Sequence, residues 1–206
     1  VLVIALVSKT VMPVRVPSNQ VFSHALGVFA TDDYGDQAVL SSSLHQLWAI
    51  TYGSTLETRV RYTPSDVFET FPRPAVTDEV ARVGRVLDEY RRAVMLGRKL
   101  GLTKLYNLVN DPTLGDADDS AIARLRHIHA ELDRIVVTAF GWGDIDLGHD
   151  FHQYRKVERW TVSPSARVEI LDRLLEENHR RADTSKPTEM RSPEISAGVG
   201  AETLFD

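Results

Sequence analysis

The chain contains no cysteine, which excludes disulfide staples and every zinc site built on thiolates and fits a reducing cytoplasm. It has no apolar run of the ~18–20 residues that a membrane-spanning helix needs. The opening run "VLVIALV" is too short for one, and no small-residue cleavage site follows it, so it reads as a buried strand and not as a leader. A basic excess is also missing: 24 Lys and Arg stand against 29 Asp and Glu, a net charge of -5. Binding to phosphate normally shows as a surplus of cations, so any nucleic-acid role must rest on where the cations sit. No internal repeat is visible. With 206 residues, 43% of them hydrophobic, the chain can bury a substantial core as one large or two small domains. It begins without Met and directly in a strand, which points to a start inside a longer protein.

What is present divides into a mixed part, a helical part and a tail, so the expected fold class is α+β. "VLVIALV" and "ALGVFAT" are β-rich runs separated by the turn chemistry of "VPSNQVF". In "DQAVLSSSLHQLWAITYG", Val39 or Leu40 followed by Leu44, Leu47 and Trp48 makes one helical stripe, with Asp36 as N-cap and Gly53 as stop. A strand is expected over Leu56–Tyr62. "YTPSDVFETFPRP" then reads as a rigid connector: Pro64 removes a ladder donor, Pro72 and Pro74 prevent a continuous helix, and Phe68 and Phe71 pin it to the core.

Beyond Pro74 the β signal vanishes. "TDEVARVGRVLDEYRRAVMLGRKLG" places Val80, Val83, Leu87, Tyr90 and Val94 at helical spacing, acidic at its start and basic at its end, as the helix dipole favours. A short segment, "LTKLYNLVNDP", precedes a second long helix over "DSAIARLRHIHAELDRIVVTAFG" that stops at Gly141. "GWGDIDLGHDFH" reads as a loop. A last helix opens with Ser163 as cap and Pro164 in its first turn, and buries Ile170, Leu171, Leu174 and Leu175. The expected division is 1–74, 75–182 and a polar tail over 183–206.

The strand "LETRVRY" carries the most distinctive chemistry. At a period of two, Glu57, Arg59 and Arg61 share one face, about 7 Å apart. Arg can pair bidentately with guanine and Glu can accept from cytosine, so the row could read bases or hold phosphates. The alternative is a solvated face whose opposite charges pair with each other. A second cluster, Arg82, Arg85, Arg91, Arg92, Arg98, Lys99 and Lys104, is opposed by Glu79, Asp88 and Glu89. It is either a solvated helix face or a phosphate-tracking one, and Lys99 and Lys104, beside Gly97 and Gly101, suit the second role best. The histidines do not make a metal site. His127 and His129 lie about 200° apart around a helix, and His149 and His152 flank Phe151 in a loop. "DIDLGHD" lacks the downstream Glu of a calcium loop.

"VSKTVMPVRVPSNQVFS", "LSSSLHQLWAITYGSTLETRVRYTPSDVFETFPRP", "GLTKLYNLVNDP" and "ELDRIVVTAFGW" together resemble the C-terminal portion of the type IIG/IIL (MmeI-like) restriction–modification proteins. The similarity runs in order from Val1 to about Arg181. It implies the end of a target-recognition domain followed by a helical C-terminal domain of an adenine-specific, S-adenosylmethionine-dependent DNA methyltransferase, often fused to an endonuclease. In that family the stretch matching "LETRVRY" holds base-reading residues, which the resemblance places at Glu57 and Arg59. It gives Arg61 and Tyr62 a phosphate or structural role, and makes Lys9, Thr10, Ser18, Asn19 and Gln20 contacts to the DNA backbone. The implied partners are double-stranded DNA and an upstream methyltransferase domain of the same parent chain, with no membrane.

The departures are equally informative. The family's Asn-Pro-Pro-aromatic motif, which holds a flipped adenine, is missing; "NDPT" at Asn110 reads as a turn. No glycine-rich strand-to-helix turn suits a cofactor: "GWG" at Gly141 is a helix stop and "GVG" at Gly198 lies in the tail. No acidic pair followed by Glu-x-Lys suggests a nuclease. This stretch is therefore expected to be catalytically silent, with S-adenosylmethionine, and Mg where a nuclease is fused, belonging to the parent protein.

Overall fold

The computed structural model describes residues 1–56, 59–154 and 157–185, and its α+β architecture starts from a run that does two jobs. "VLVIALV" is two strands, β1 (Leu2–Ala5) and β2 (Val7–Ser8), in different sheets. Leu6 is the switch point: its N–H donates to the Ala25 carbonyl at 2.9 Å and its own carbonyl accepts from the Tyr62 N–H at 2.8 Å. In the first sheet β1 lies between β3 (Val14–Arg15) and β4 (Leu26–Phe29), antiparallel to both. In the second, β6 (Arg59–Arg61) lies between β2 and β5 (Ser54–Leu56).

The pairing Leu56↔Arg59 corrects the single strand expected over Leu56–Tyr62. Those two residues face each other across an antiparallel hairpin and are not three steps along one strand. The helix expected from Asp36 to Gly53 is also two helices, α1 (Tyr34–Ser41) and α2 (Ser43–Tyr52). The cap of α1 is Asp33, whose carboxylate accepts from the Gly35 and Asp36 N–H groups at 2.7 and 3.0 Å. Asp36 instead accepts from the Thr31 hydroxyl at 2.6 Å. The break falls at Ser42, in extended conformation, where its hydroxyl caps α2 through the His45 N–H. Hydroxyls compete with helical backbone bonds, and three successive serines end the helix. Gly53 does stop α2, its N–H bonding to Ala49.

The connector forms a single turn, α3 (Pro64–Val67), and Phe71 is buried. It is tied down from the far end of the chain: Asn178 donates to the Thr70 carbonyl at 2.6 Å and Arg181 to that of Arg73 at 2.9 Å. Helices α4 (Asp78–Arg98), α5 (Leu102–Val109), α6 (Ser120–Ala139) and α7 (Pro164–Ser185) follow. Thr77, Asp119 and Ser163 cap α4, α6 and α7. The β signal does not end at Pro74: "DFHQY" and "VERWT" form a hairpin of β7 (Asp150–Tyr154) and β8 (Val157–Thr161) where a loop was expected at its start. Its strands are poor in β-branched residues, and what fixes them is Phe151 and Trp160 packing on the Arg126 guanidinium, 4.8 and 5.7 Å from the ring centres. Residues 183–185 continue α7, and the rest of the expected tail lies outside the described residues.

One buried cluster runs across the expected boundary at Pro74, joining Leu2, Leu44 and Trp48 to Leu87, Leu125 and Ile170. Buried polar bonds cross it too. Gln37 donates to Asp88 at 2.8 Å, Arg91 to the Pro13 carbonyl at 2.9 Å, and the Ser43 N–H to Asp133 at 2.7 Å. Among the described residues no helix is long and apolar enough to cross a membrane.

Candidate nucleic-acid interface

Strand β6 alternates exposed, buried, exposed, so Arg59 and Arg61 share one face while Val60 enters the core. Val7 pairs with Arg61 and Ser8 with Val60. The pairing ends there, and the chain bends at Lys9, one residue past β2. The Ser8 hydroxyl accepts from the Thr10 N–H at 3.0 Å and fixes the turn that leaves Lys9 exposed. Two cations, Arg59 and Arg61, thus share the exposed face of β6, and an exposed third, Lys9, follows directly on the neighbouring strand β2. Glu57 lies outside the described residues.

Tyr62 is the anchor beneath this face. It is buried, edge-on to Phe29, and burial pushes its phenol pKa up. Its hydroxyl lies 3.0 Å from Nε2 of His45, whose Nδ1 lies 2.8 Å from the Leu40 carbonyl. A carbonyl only accepts, so Nδ1 carries the proton and the Tyr62 hydroxyl donates to Nε2. Burial lowers the His45 pKa to about 4, which keeps the ring neutral. Tyr62 is thus buried in the fold with its hydroxyl engaged by His45.

The remaining candidates lie elsewhere. Ser18, Asn19 and Gln20 are exposed in the loop between β3 and β4, and Gln20 donates to the Pro17 carbonyl at 2.8 Å; no strand pairing brings them to β6. Lys99 and Lys104 are exposed near the end of α4 and on α5. Lys99 adopts a left-handed conformation, φ 53°, as the C-cap of α4. Most of the other cations of α4 are engaged internally. Arg82 pairs with Glu131 and Arg92 with Asp88, each at 3.0 Å, and Arg98 makes two bonds to Asp119. Arg91 is buried, and Arg85 lies 4.8 Å from the centre of the Tyr34 ring.

The histidines also act as internal braces. His129 is buried 2.8 Å from the Tyr106 hydroxyl, and His149 lies 2.8 Å from Asp133. His152 reaches the Gly148 carbonyl at 2.8 Å. Among the described residues no three His, Asp or Glu side chains gather as metal ligands. Asn110 of "NDPT" caps α5 and accepts from the Trp160 N–H at 3.2 Å, so its amide fastens the β7–β8 hairpin.

Sequence reasoning missed a cleft beside this site. Its walls include Lys9, Thr10, Ser43 and Gln46 from the first part and Asn110, His149, Arg159 and Trp160 from the second. The signal was the alternation in "VERWTV", obscured by the charged residues around it.

No family model matches this sequence, and no curated protein matches it. Among solved structures, the chain is similar to the type IIL restriction–modification enzyme MmeI in complex with DNA. The TM-score is 0.55 at 21% identity, over 88% of this chain and 21% of that one. At this identity the likeness is one of fold. The chain spans about a fifth of the length of the enzyme it matches.

Proposed function

We propose that this chain is the DNA-recognition part of a restriction–modification or phage-defence protein, and that it meets duplex DNA through the face of the β2–β6–β5 sheet. The observation that carries the reading is that Arg59 and Arg61 share the exposed face of β6, with exposed Lys9 following the paired strand β2, backed by the buried Tyr62–His45 pair. The fold shared with an enzyme solved on DNA supports it. In this reading Arg59, with Glu57, reads base edges, while Arg61 and Lys9 hold phosphates. Thr10, Ser18, Asn19 and Gln20 supply further backbone contacts. The methyl transfer, adenine-specific and dependent on S-adenosylmethionine, belongs to an upstream methyltransferase domain, and Mg belongs to the parent protein where a nuclease is fused. The helical part, 75–182, braces the recognition part.

The test is Arg59→Ala in the intact protein. Sequence discrimination should relax at one position of the site by about 1–3 kcal/mol; an unchanged preference would refute base reading. The ion pairing along α4 favours a second reading, in which the helical part is a brace without DNA affinity. Fluorescence anisotropy at low and moderate salt separates the two. Lys99→Ala and Lys104→Ala should weaken all duplexes alike if these residues track phosphates, and change nothing if the helices only brace.

A further inference from the structure

The cleft between α2 and the β7–β8 hairpin contains a charge that the fold leaves unanswered. Arg159 is half-buried in its wall, and its guanidinium makes no hydrogen bond or ion pair among the described residues. Burial lowers its pKa, and the nearby Tyr154 phenol opposes that shift. Other partly or fully buried arginines have acceptors: Arg126 has carbonyls, Arg91 has Pro13, Arg15 has Gln37 and Asp32, and Arg167 has the Gln153 carbonyl although its Nε has none among the described residues. Trp160, the next residue and part of the same wall, keeps its indole N–H buried with no acceptor among the described residues. Lys9 contributes a second cation to the lining, and Thr10 a hydroxyl. The one carboxylate in the lining, Asp133, is committed on both oxygens, to the Ser43 N–H at 2.7 Å and to His149 at 2.8 Å. The cleft therefore offers donors and positive charge whose missing counterpart is an anion with several acceptor oxygens.

We propose that this cleft is a phosphate pocket, with Arg159 as its fixed ligand and Lys9 shared between it and the face of β6. A guanidinium held in place by a hairpin suits a tetrahedral oxyanion better than a mobile lysine, because its fork of N–H groups is already oriented. The carrier we assign is the backbone of a DNA duplex lying on the β2–β6–β5 face, and that assignment rests on the function proposed above. The hairpin of the helical part would then be a second clamp on the same duplex, joined to the first through Lys9.

Two measurements on the intact protein test this. Inorganic phosphate is titrated while the Trp160 indole N–H is followed by nitrogen–proton NMR, with Trp160→Phe assigning the signal. Saturable shifts are expected, retained in Arg159→Lys and lost in Arg159→Gln. Absence of saturation, or identical shifts in Arg159→Gln, overturns the pocket. Duplex binding is then followed against salt. Arg159→Gln should lower the slope of log K on log salt by about one, equally for all sequences, with Arg159→Lys restoring most of it. If Arg59→Ala and Arg61→Ala weaken duplex binding but Arg159→Gln leaves the slope unchanged, the second clamp is refuted while the strand face stands. If phosphate saturates the pocket but no duplex binds, the duplex is refuted as carrier and the DNA reading falls with it.

Discussion

Arg126 shows how much one buried side chain can organise. At 2% exposure it donates to the carbonyls of Val109 at 3.0 Å, Leu114 at 2.8 Å and Asp111 at 3.1 Å. Those carbonyls end α5 and line the turn into α6, where the Asp111 carbonyl also accepts from the Leu114 N–H at 3.2 Å. Arg126→Met keeps the bulk but strands the acceptors, so it should destabilise the fold by roughly 3–5 kcal/mol in urea unfolding. His45 and His129 make a prediction about pH. Burial lowers both to a pKa of about 4, whereas an unfolded His titrates near 6.5. As pH falls the unfolded chain binds protons first. Stability is therefore complete above about 6.5 and is lost as pH falls toward about 4, approaching ~1.4 kcal/mol per pH unit for each ring. Urea midpoints at pH 7, 6 and 5 measure this slope, and His129→Gln should roughly halve it.

At the scale of elements, α1 and α4 touch so closely that Gly84 has no room for a side chain: a Cβ there would overlap the Tyr34 carbonyl and lie 3.1 Å from that of Ala38. Gly97, later on α4, has nothing within 4 Å. Ala at position 84 should cost ~1–3 kcal/mol despite its better helix propensity, whereas Ala at 97 should gain up to ~1 kcal/mol. Thermal unfolding of the two variants compares them directly. Lys99→Gly should relieve the left-handed C-cap and stabilise by ~1 kcal/mol, with any loss of duplex affinity reporting the charge alone. The elements easiest to read from sequence were those whose apolar stripe is long: α4 and α6 follow Val80–Val94 and Ile122–Ile135 nearly as expected. The elements misread were short and set by local bonds. Ser42 splits a helix that its flanking apolar residues would continue. The reversal between Leu56 and Arg59 carries no Gly, Asn or Asp to announce it. In β7 and β8 the strand signal is diluted by His, Gln, Glu and Arg, and the anchoring cation comes from α6. The site divided in the same way. Arg59 and Arg61 were legible because period two is local to β6. Arg159 was not, because its meaning depends on the lack of an acceptor for its guanidinium among the described residues, which only the three-dimensional arrangement reveals.

For the molecule as a whole, the interlock across Pro74 predicts a single cooperative transition. Far-ultraviolet and near-ultraviolet signals should unfold together in urea, and a fragment ending at Pro74 should fail to fold, since Leu2, Leu44 and Trp48 pack into the cluster that Leu87 and Leu125 complete. Two separate transitions would show that the halves are independent. The same interlock also sets an order in time. During synthesis the strands and the first helices leave the ribosome before α4 and α6 exist, with Gln37 lacking Asp88 and the Ser43 N–H lacking Asp133. At about 5–20 residues per second, the stretch from Pro74 to Ala139 takes roughly 3–13 s to make. For that interval the sheet destined to carry Arg59 and Arg61 is a nascent, unfinished surface, open to chaperones before it can engage DNA.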